Sequence, residues 1–209
     1  MSYHDEQESI ESLKAWWAQW GNATTWIVLV VLVAGAAWNG WNFWQRRQAA
    51  EAAVLYDQVQ QAVASGDKAK TTRVAGDMED KYSGTAYAQM TALATAKALY
   101  AAGDEPAAKI QLQWVIDHAK DDEFKQVAKL RLASLMLDEK AYDAGLALLA
   151  EPQSDAFKGV VADGRGDLLA AQGKRDDARA AYKLALDTLP KNDTSMRQLI
   201  QFKLDALGG

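Results

Sequence analysis

Between Lys14 and Arg46 the chain carries no ionisable side chain, a run of 31 residues. A water-soluble domain with ordinary charge density does not leave such a gap, and seven of the eight Trp lie inside it, from Trp16 to Trp44. Its centre, Trp26 to Trp38 (WIVLVVLVAGAAW), is apolar throughout except for Gly35. Extended to Trp44 it has 19 residues, about 28 Å of helix against a bilayer core of about 30 Å. Trp26 at one end and Trp38, Trp41 and Trp44 at the other stand where amphipathic rings favour the headgroup region, and Arg46 with Arg47 supplies a polar stop. The pattern predicts one transmembrane helix over residues 24–44, with these six residues at the membrane interface.

A cleaved signal peptide is the rival reading. It requires a basic start and a shorter apolar stretch ending at small residues. Here the start is acidic (Asp5, Glu6, Glu8, Glu11), and Ala34 to Ala37 is followed by Trp, Asn and Trp. A retained anchor is therefore expected. Asn39 and Asn42, with the small pair Ala36 and Gly40, suit either contact with a second helix or hydration at the interface. Residues 9–20 place Ile10, Leu13, Trp16, Trp17 and Trp20 on one helical face, which predicts a short helix along the membrane surface. Gly21 and Asn22 then predict a break before the span.

The flanking charges give a weak orientation signal. Lys14 stands before the span, Arg46 and Arg47 after it, so the count places the C-terminal part in the cytoplasm by a margin of one residue. Over the whole chain 23 Lys and Arg face 28 Asp and Glu, a net charge of -5. No basic field draws this chain onto nucleic acid. The absence of cysteine removes disulfides and thiolate sites and is neutral on compartment.

From Ala49 onward the residues predict helix throughout, with breaks at Gly66, Gly84, Gly103, Glu139 with Lys140, Pro152, Gly173 and Pro190. Aligning Ala108, Ala144 and Ala178 gives spacings of 36 and 34 residues, close to the period of about 34 in tetratricopeptide hairpin stacks. The last unit carries the fullest pattern: Gly166, Leu169, Gly173, Ala178, Tyr182, Ala185 and Pro190. Small residues belong where two helices of a hairpin cross, glycine where the first helix stops, proline where the second cannot continue. Ala96, Leu99, Gly103, Ala108 and Leu112 repeat the pattern, with Asp104 as the N-cap before Pro106. The middle unit keeps Leu135, Ala144 and Leu148 but puts Leu132 at the small position, which predicts a distorted crossing. Residues 49–85 read as a degenerate leading unit. Asn192 to Leu207 reads as an amphipathic cap with Met196, Leu199, Ile200, Phe202, Leu204 and Leu207 available for burial. The expected fold class is all-α: a single transmembrane helix, a tetratricopeptide-like helical solenoid and a C-terminal capping helix. The expected divisions are 1–23, 24–44 and 45–209.

No constellation for chemistry emerges. His4 lies in the polar tail and His118 stands alone beside Asp117, so no metal site is expected. The run Gly159 to Gly166 (GVVADGRG) lacks the Gly-Lys-Ser/Thr ending of a phosphate loop and falls in a solenoid helix. No His is placed to activate a Ser. A non-enzyme is expected, without cofactor or small-molecule substrate. First-helix positions of the solenoid instead give candidate partner-binding residues: Met90, Leu93, Lys97, Tyr100, Lys129, Met136, Asp163 and Asp167.

The ordering of an acidic tail, a Trp-rich span ending WNGWNFWQRRQ (Trp38 to Gln48) and degenerate repeats around Gly166 to Pro190 resembles the YfgM-type ancillary subunits of the bacterial SecYEG translocon. The resemblance implies an inner-membrane protein with a cytoplasmic N-terminus and a periplasmic repeat domain, against the one-residue charge count. It further implies partners in the SecYEG translocon and a PpiD-type periplasmic folding factor, and a role in passing exported chains to periplasmic chaperones. A regulatory scaffold that sequesters a signalling component is the alternative the residues leave open.

Overall fold

The computed structural model describes the backbone of residues 3–152 and 154–208, and the side chains of 11, 13–152 and 154–208. Nine α-helices and a short 3-10 turn make up the described chain, with no strand among the described residues: α1 (Tyr3–Ala64), α2 (Lys68–Tyr82), α3 (Ala86–Ala101), α4 (Glu105–His118), α5 (Asp122–Asp138), α6 (Tyr142–Leu148), α7 (Lys158–Ala171), α8 (Arg175–Thr188) and α9 (Thr194–Ala206). Two compact units divide the chain at Gln48 and Ala49.

In the first unit the apolar run is helical and its large side chains, from Trp26 through Val33 and on to Trp44, are exposed. Bare apolar surface of this length has no place in a soluble core, and the helix is long and apolar enough to cross a membrane. The expected break at Gly21 and Asn22 is absent, since α1 continues through both. The cost of one Gly in a helix is only about 1 kcal/mol. The Trp17 ring covers Gly21 so closely that an added Cβ would sit 3.1 Å from it. Thr24 and Thr25 donate their hydroxyls to Trp20 O (3.0 Å) and Gly21 O (2.7 Å), so neither offers the backbone a competing partner outside the helix. The short surface helix expected over residues 9–20 is thus part of α1; the side chain of Ile10, like that of His4 and the first acidic residues, lies outside the described residues.

The second unit is a stack of hairpins, α3 with α4, α5 with α6, and α7 with α8, led by the end of α1 with α2 and closed by α9. Its apolar interior is strung along the stack in successive clusters. Ala52, Met78 and Ala88 form one; Leu99, Ala108, Leu112, Val115 and Leu132 another; Ala133, Leu149, Val161 and Leu168 a third; Ala178, Tyr182, Ala185 and Ile200 a fourth. Each hairpin therefore depends on its neighbours. Asp67, Thr85, Asp104, Asp121 and Asp193 accept backbone N–H bonds at the helix starts, satisfying donors that the first turn leaves open.

The first helix of every hairpin ends on a left-handed residue: Gly66 (φ 68°), Gly103 (φ 75°), Lys140 (φ 61°) and Gly173 (φ 82°). Each closes with the same paired bonds, as in Gly103 N to Tyr100 O and Asp104 N to Leu99 O, both 2.9 Å. The intervals are 37, 37 and 33 residues, and they correct the repeat register. Five residues beyond the left-handed residue stand Thr71, Ala108, Gly145 and Ala178, all buried, whereas Ala144 is exposed. Seven residues before it, in the last three hairpins, stand Ala96, Ala133 and Gly166, so Ala133 rather than Leu132 holds the small position. Close approach is the reason for the small residues: a Cβ on Gly166 would come 2.4 Å from the Tyr182 ring, and one on Gly145 2.8 Å from Leu168. Of the six apolar residues available, the cap buries Ile200 and Leu204 and half-buries Met196 and Leu207, but leaves Leu199 and Phe202 at 50% and 72% exposure.

Lys140 takes the left-handed conformation against a steric cost of about 1–2 kcal/mol for a residue with a Cβ. Lys140→Gly is therefore expected to stabilise the repeat unit by about 1 kcal/mol, and Gly166→Ala to destabilise it by about 2 kcal/mol through overpacking against Tyr182. Denaturant melts of the detergent-solubilised chain, followed by circular dichroism, check both signs.

Candidate functional site

The first helices of successive hairpins, α3, α5 and α7, share one face of the stack. Two cavities on it meet at Ser134. One, of about 320 Å³, lies between α3, α4 and α5 and is lined by Ala96, Lys97, Tyr100, Ala108, Leu112, Arg131 and Leu135 besides Ser134. The other, of about 230 Å³, lies between α5 and α7 and is lined by Leu130, Leu137, Leu149, Val160, Asp163, Asp167 and, from α9, Met196. Together they make a groove whose floor is apolar and whose two ends differ in charge.

At the α3 end, Lys97 is exposed, and the Tyr100 hydroxyl donates to Asp138 Oδ2 at 3.0 Å. That hydrogen bond holds the phenol above its ordinary pKa of 10.0. Arg131 reaches back to donate to Leu93 O at 3.2 Å. The charged groups lining this cavity are thus both cationic.

At the α7 end the carboxylates are already engaged. Lys203 of α9 donates to Asp163 Oδ1 and Oδ2 (2.9 and 3.0 Å) and to Asp167 Oδ2 (2.8 Å), while the Tyr182 hydroxyl donates to Asp167 Oδ1 (2.8 Å). Asp163 is buried, and desolvation pushes its carboxyl above the ordinary carboxylate range despite Lys203. Burial together with the bond to Asp167 raises the Tyr182 phenol strongly, so it stays a donor. Burial opposes the charge on Lys203, but its hydrogen bonds to Asp167 and Asp163 outweigh that and keep its ammonium above the ordinary 10.5.

The residues expected to face a partner are distributed accordingly. Lys97 and Tyr100 line the groove, and Met90 is 36% exposed on α3. Leu93 is buried. Asp163 and Asp167 line the groove, but their carboxylates hold the cap. Met136 packs against the core under α3 to α5, and Lys129 is half-buried outside both cavities. At the positions of α5 that correspond to those expected, the groove is lined by Leu130, Ser134 and Leu137, beside Arg131 and Leu135. Sequence reasoning missed them because Ala144 as the alignment point shifted α5 by one residue; a glycine at position 140 would have revealed the phase, and a lysine hid it. Gly159 to Gly166 lies inside α7, as expected. His118 donates its Nδ1–H to Trp114 O (2.9 Å) and stacks on the Trp114 ring, so it serves its own helix. Among the described residues no three His or carboxylate side chains converge as a metal site. In the first unit, Trp26, Trp38, Trp41 and Trp44 are exposed, with the rings of the last two 5.4 Å apart, and Arg46 and Arg47 follow them.

Residues 14–209 match the family of tetratricopeptide repeat-like domains. Among curated proteins, the chain is 31% identical to the ancillary SecYEG translocon subunit of Neisseria gonorrhoeae over 75% of this chain and 74% of that protein. It is 28% identical to the subunit of that name in Haemophilus influenzae, over 87% and 88% of the two chains, and 27% identical to that of Aggregatibacter actinomycetemcomitans, over 97% and 98%. No solved structure matches the chain.

Removing Lys203 strands two carboxylates. Lys203→Met is expected to cost about 2 kcal/mol, less than the 3–5 kcal/mol of a fully buried pair because Asp167 stays partly wet, and Asp163→Asn is expected to recover part of the loss; a double-mutant cycle in urea measures the coupling. Because the folded state holds the Lys203 proton more tightly than the unfolded chain, its stabilisation is complete below pH 10.5 and fades as pH rises through the higher folded value. Thermal midpoints between pH 9 and 12 should therefore fall more in the parent protein than in Lys203→Met.

Proposed function

The chain belongs to the family of ancillary SecYEG translocon subunits, whose shared domain is tetratricopeptide repeat-like, and from that premise we propose that it is a non-catalytic membrane-anchored adaptor that passes exported proteins to periplasmic chaperones. In this reading residues 24–44 cross the inner membrane, with Trp26, Trp38, Trp41, Trp44, Arg46 and Arg47 at its surfaces. The N-terminus is cytoplasmic and the repeat domain, from about residue 45, is periplasmic. The partners are the SecYEG translocon, a PpiD-type folding factor and the bilayer itself.

The observation that carries the proposal is the groove on α3, α5 and α7, open at Lys97, Tyr100 and Ser134, on a chain that also bears a membrane-length apolar helix. An apolar floor with a polar rim is suited to weak, sequence-tolerant contact with an emerging polypeptide or a chaperone surface. Confinement to a membrane next to a protein channel raises the effective concentration of such contacts to the millimolar range expected for short tethers, roughly. Weak binding then suffices, and no bound cofactor is called for.

Two measurements test the reading. Alkaline phosphatase fused after Gly209 is expected to be active, and an inactive fusion overturns the periplasmic placement. A photoreactive side chain at Lys97 or Tyr100 is expected to yield adducts with translocon or chaperone components, while one at Ile110, exposed on α4, yields far fewer. Equal labelling from all three positions would exclude the groove as the contact.

A further inference from the structure

Helix α6 has seven residues where α4 and α8 each have 14. The sequence supplies the stop: Pro152 cannot provide the N–H that another turn needs, and the pyrrolidine ring clashes with the preceding turn. The carbonyls left over at the end of α6 are taken by Arg165, whose Nη1 lies 3.3 Å from both Leu146 O and Leu149 O. Meanwhile α6 runs antiparallel to α7, since Gly145 meets Leu168 and Leu149 lies against Gly164. Two more turns of α6 would therefore pass over Val161 and Lys158, beside the face of α8 that carries Ala181 and Leu184.

That place is an open notch of about 750 Å³, the largest cavity among those described. Val161, Ala162, Leu169, Ala180, Ala181 and Leu184 form its apolar walls, and Leu184 is 54% exposed. Elsewhere in the stack a second helix of full length covers the corresponding surface: α4 buries Ala108, Leu112 and Val115 against its neighbours. The notch is thus a surface shaped for a helix that this chain does not continue.

We propose that the notch receives a short amphipathic helix of about two turns from a partner protein, completing the row of second helices in trans. The small side chains Ala162, Ala180 and Ala181 allow the close backbone approach that helix packing at about 8–10 Å requires. Leu169 and Leu184 offer seats for an aliphatic stripe at i, i+3 or i+4. On the α7 side Lys158 is already paired with Asp155 (2.8 Å), but Arg165, bonded only to neutral carbonyls, keeps its positive charge, whereas Asp177 marks the α8 side. The guest helix is accordingly one with a carboxylate on the flank that faces α7. This surface shares no residue with the groove on α3, α5 and α7, so the inference stands apart from the adaptor reading.

The probe is a fluorescein-labelled peptide copying Glu105–His118 of this chain, a full-length second helix with an apolar stripe and acidic residues near both ends. Titrated with the full-length protein in detergent, it is expected to show saturable anisotropy. Leu184→Asp and Ala180→Arg, both at exposed positions, are expected to weaken binding at least tenfold while leaving the circular dichroism spectrum unchanged. Lys97→Glu, in the separate groove, is expected to leave binding as it was. No saturable binding up to millimolar protein overturns the proposal. So does binding that survives both notch substitutions, or that is lost with Lys97→Glu.

Discussion

Four left-handed residues set the phase of the repeat unit. At Gly66, Gly103, Lys140 and Gly173 the first helix of a hairpin is closed by the same paired backbone bonds, and the second helix starts from that turn. Because the turn geometry repeats, the residue five positions on is buried each time, as Thr71, Ala108, Gly145 and Ala178. Distances from these turns, rather than overall spacing, decide which side chains point into the stack and which into the groove. A one-residue change in phase would move Leu130, Ser134 and Leu137 off the groove and bring Lys129 and Met136 onto it.

Charge gives the groove its polarity. At the α7 end Lys203 spans Asp163 and Asp167 and, with the Tyr182 hydroxyl, engages every one of their four oxygens. The capping helix is therefore fixed by an ion-pair network as well as by Ile200 and Leu204. The α3 end keeps its cations, Lys97 and Arg131, beside an apolar floor. The groove is thus cationic at one end, while at the other a single ammonium offsets part of the charge of two carboxylates.

The two rows of helices are unequal in completeness. First helices run the length of the stack without a gap, whereas the second row is interrupted after Leu148, where Pro152 ends α6 and Arg165 closes its carbonyls. The interruption exposes apolar walls that a complete repeat would cover. A stack of this kind tolerates the defect because stability is local, each hairpin leaning on its neighbours and not on one central core.

Much was legible in the residues themselves. The uncharged, Trp-flanked run specifies a membrane-length helix because burying or exposing charge there is so costly that its absence is itself a signal. The breaks after Ala49 were legible too, since Gly and Pro act locally, and so was the cap at Asp104. Other features were decided only by packing. Gly21 reads as a break, yet the helix runs through it because the Trp17 ring covers it and nearby threonine hydroxyls bond within the helix. Lys140 adopts a conformation that its own chemistry disfavours, and with it the register of α5 and the positions of three groove residues passed out of sight. Asp163 and Asp167 look like free surface carboxylates until α9 folds back from 40 residues away and places Lys203 between them. Local backbone preference and the presence or absence of charge are written residue by residue. Which of two neighbouring residues faces inward, and which charge finds a distant partner, depends on contacts that exist only once the helices have packed.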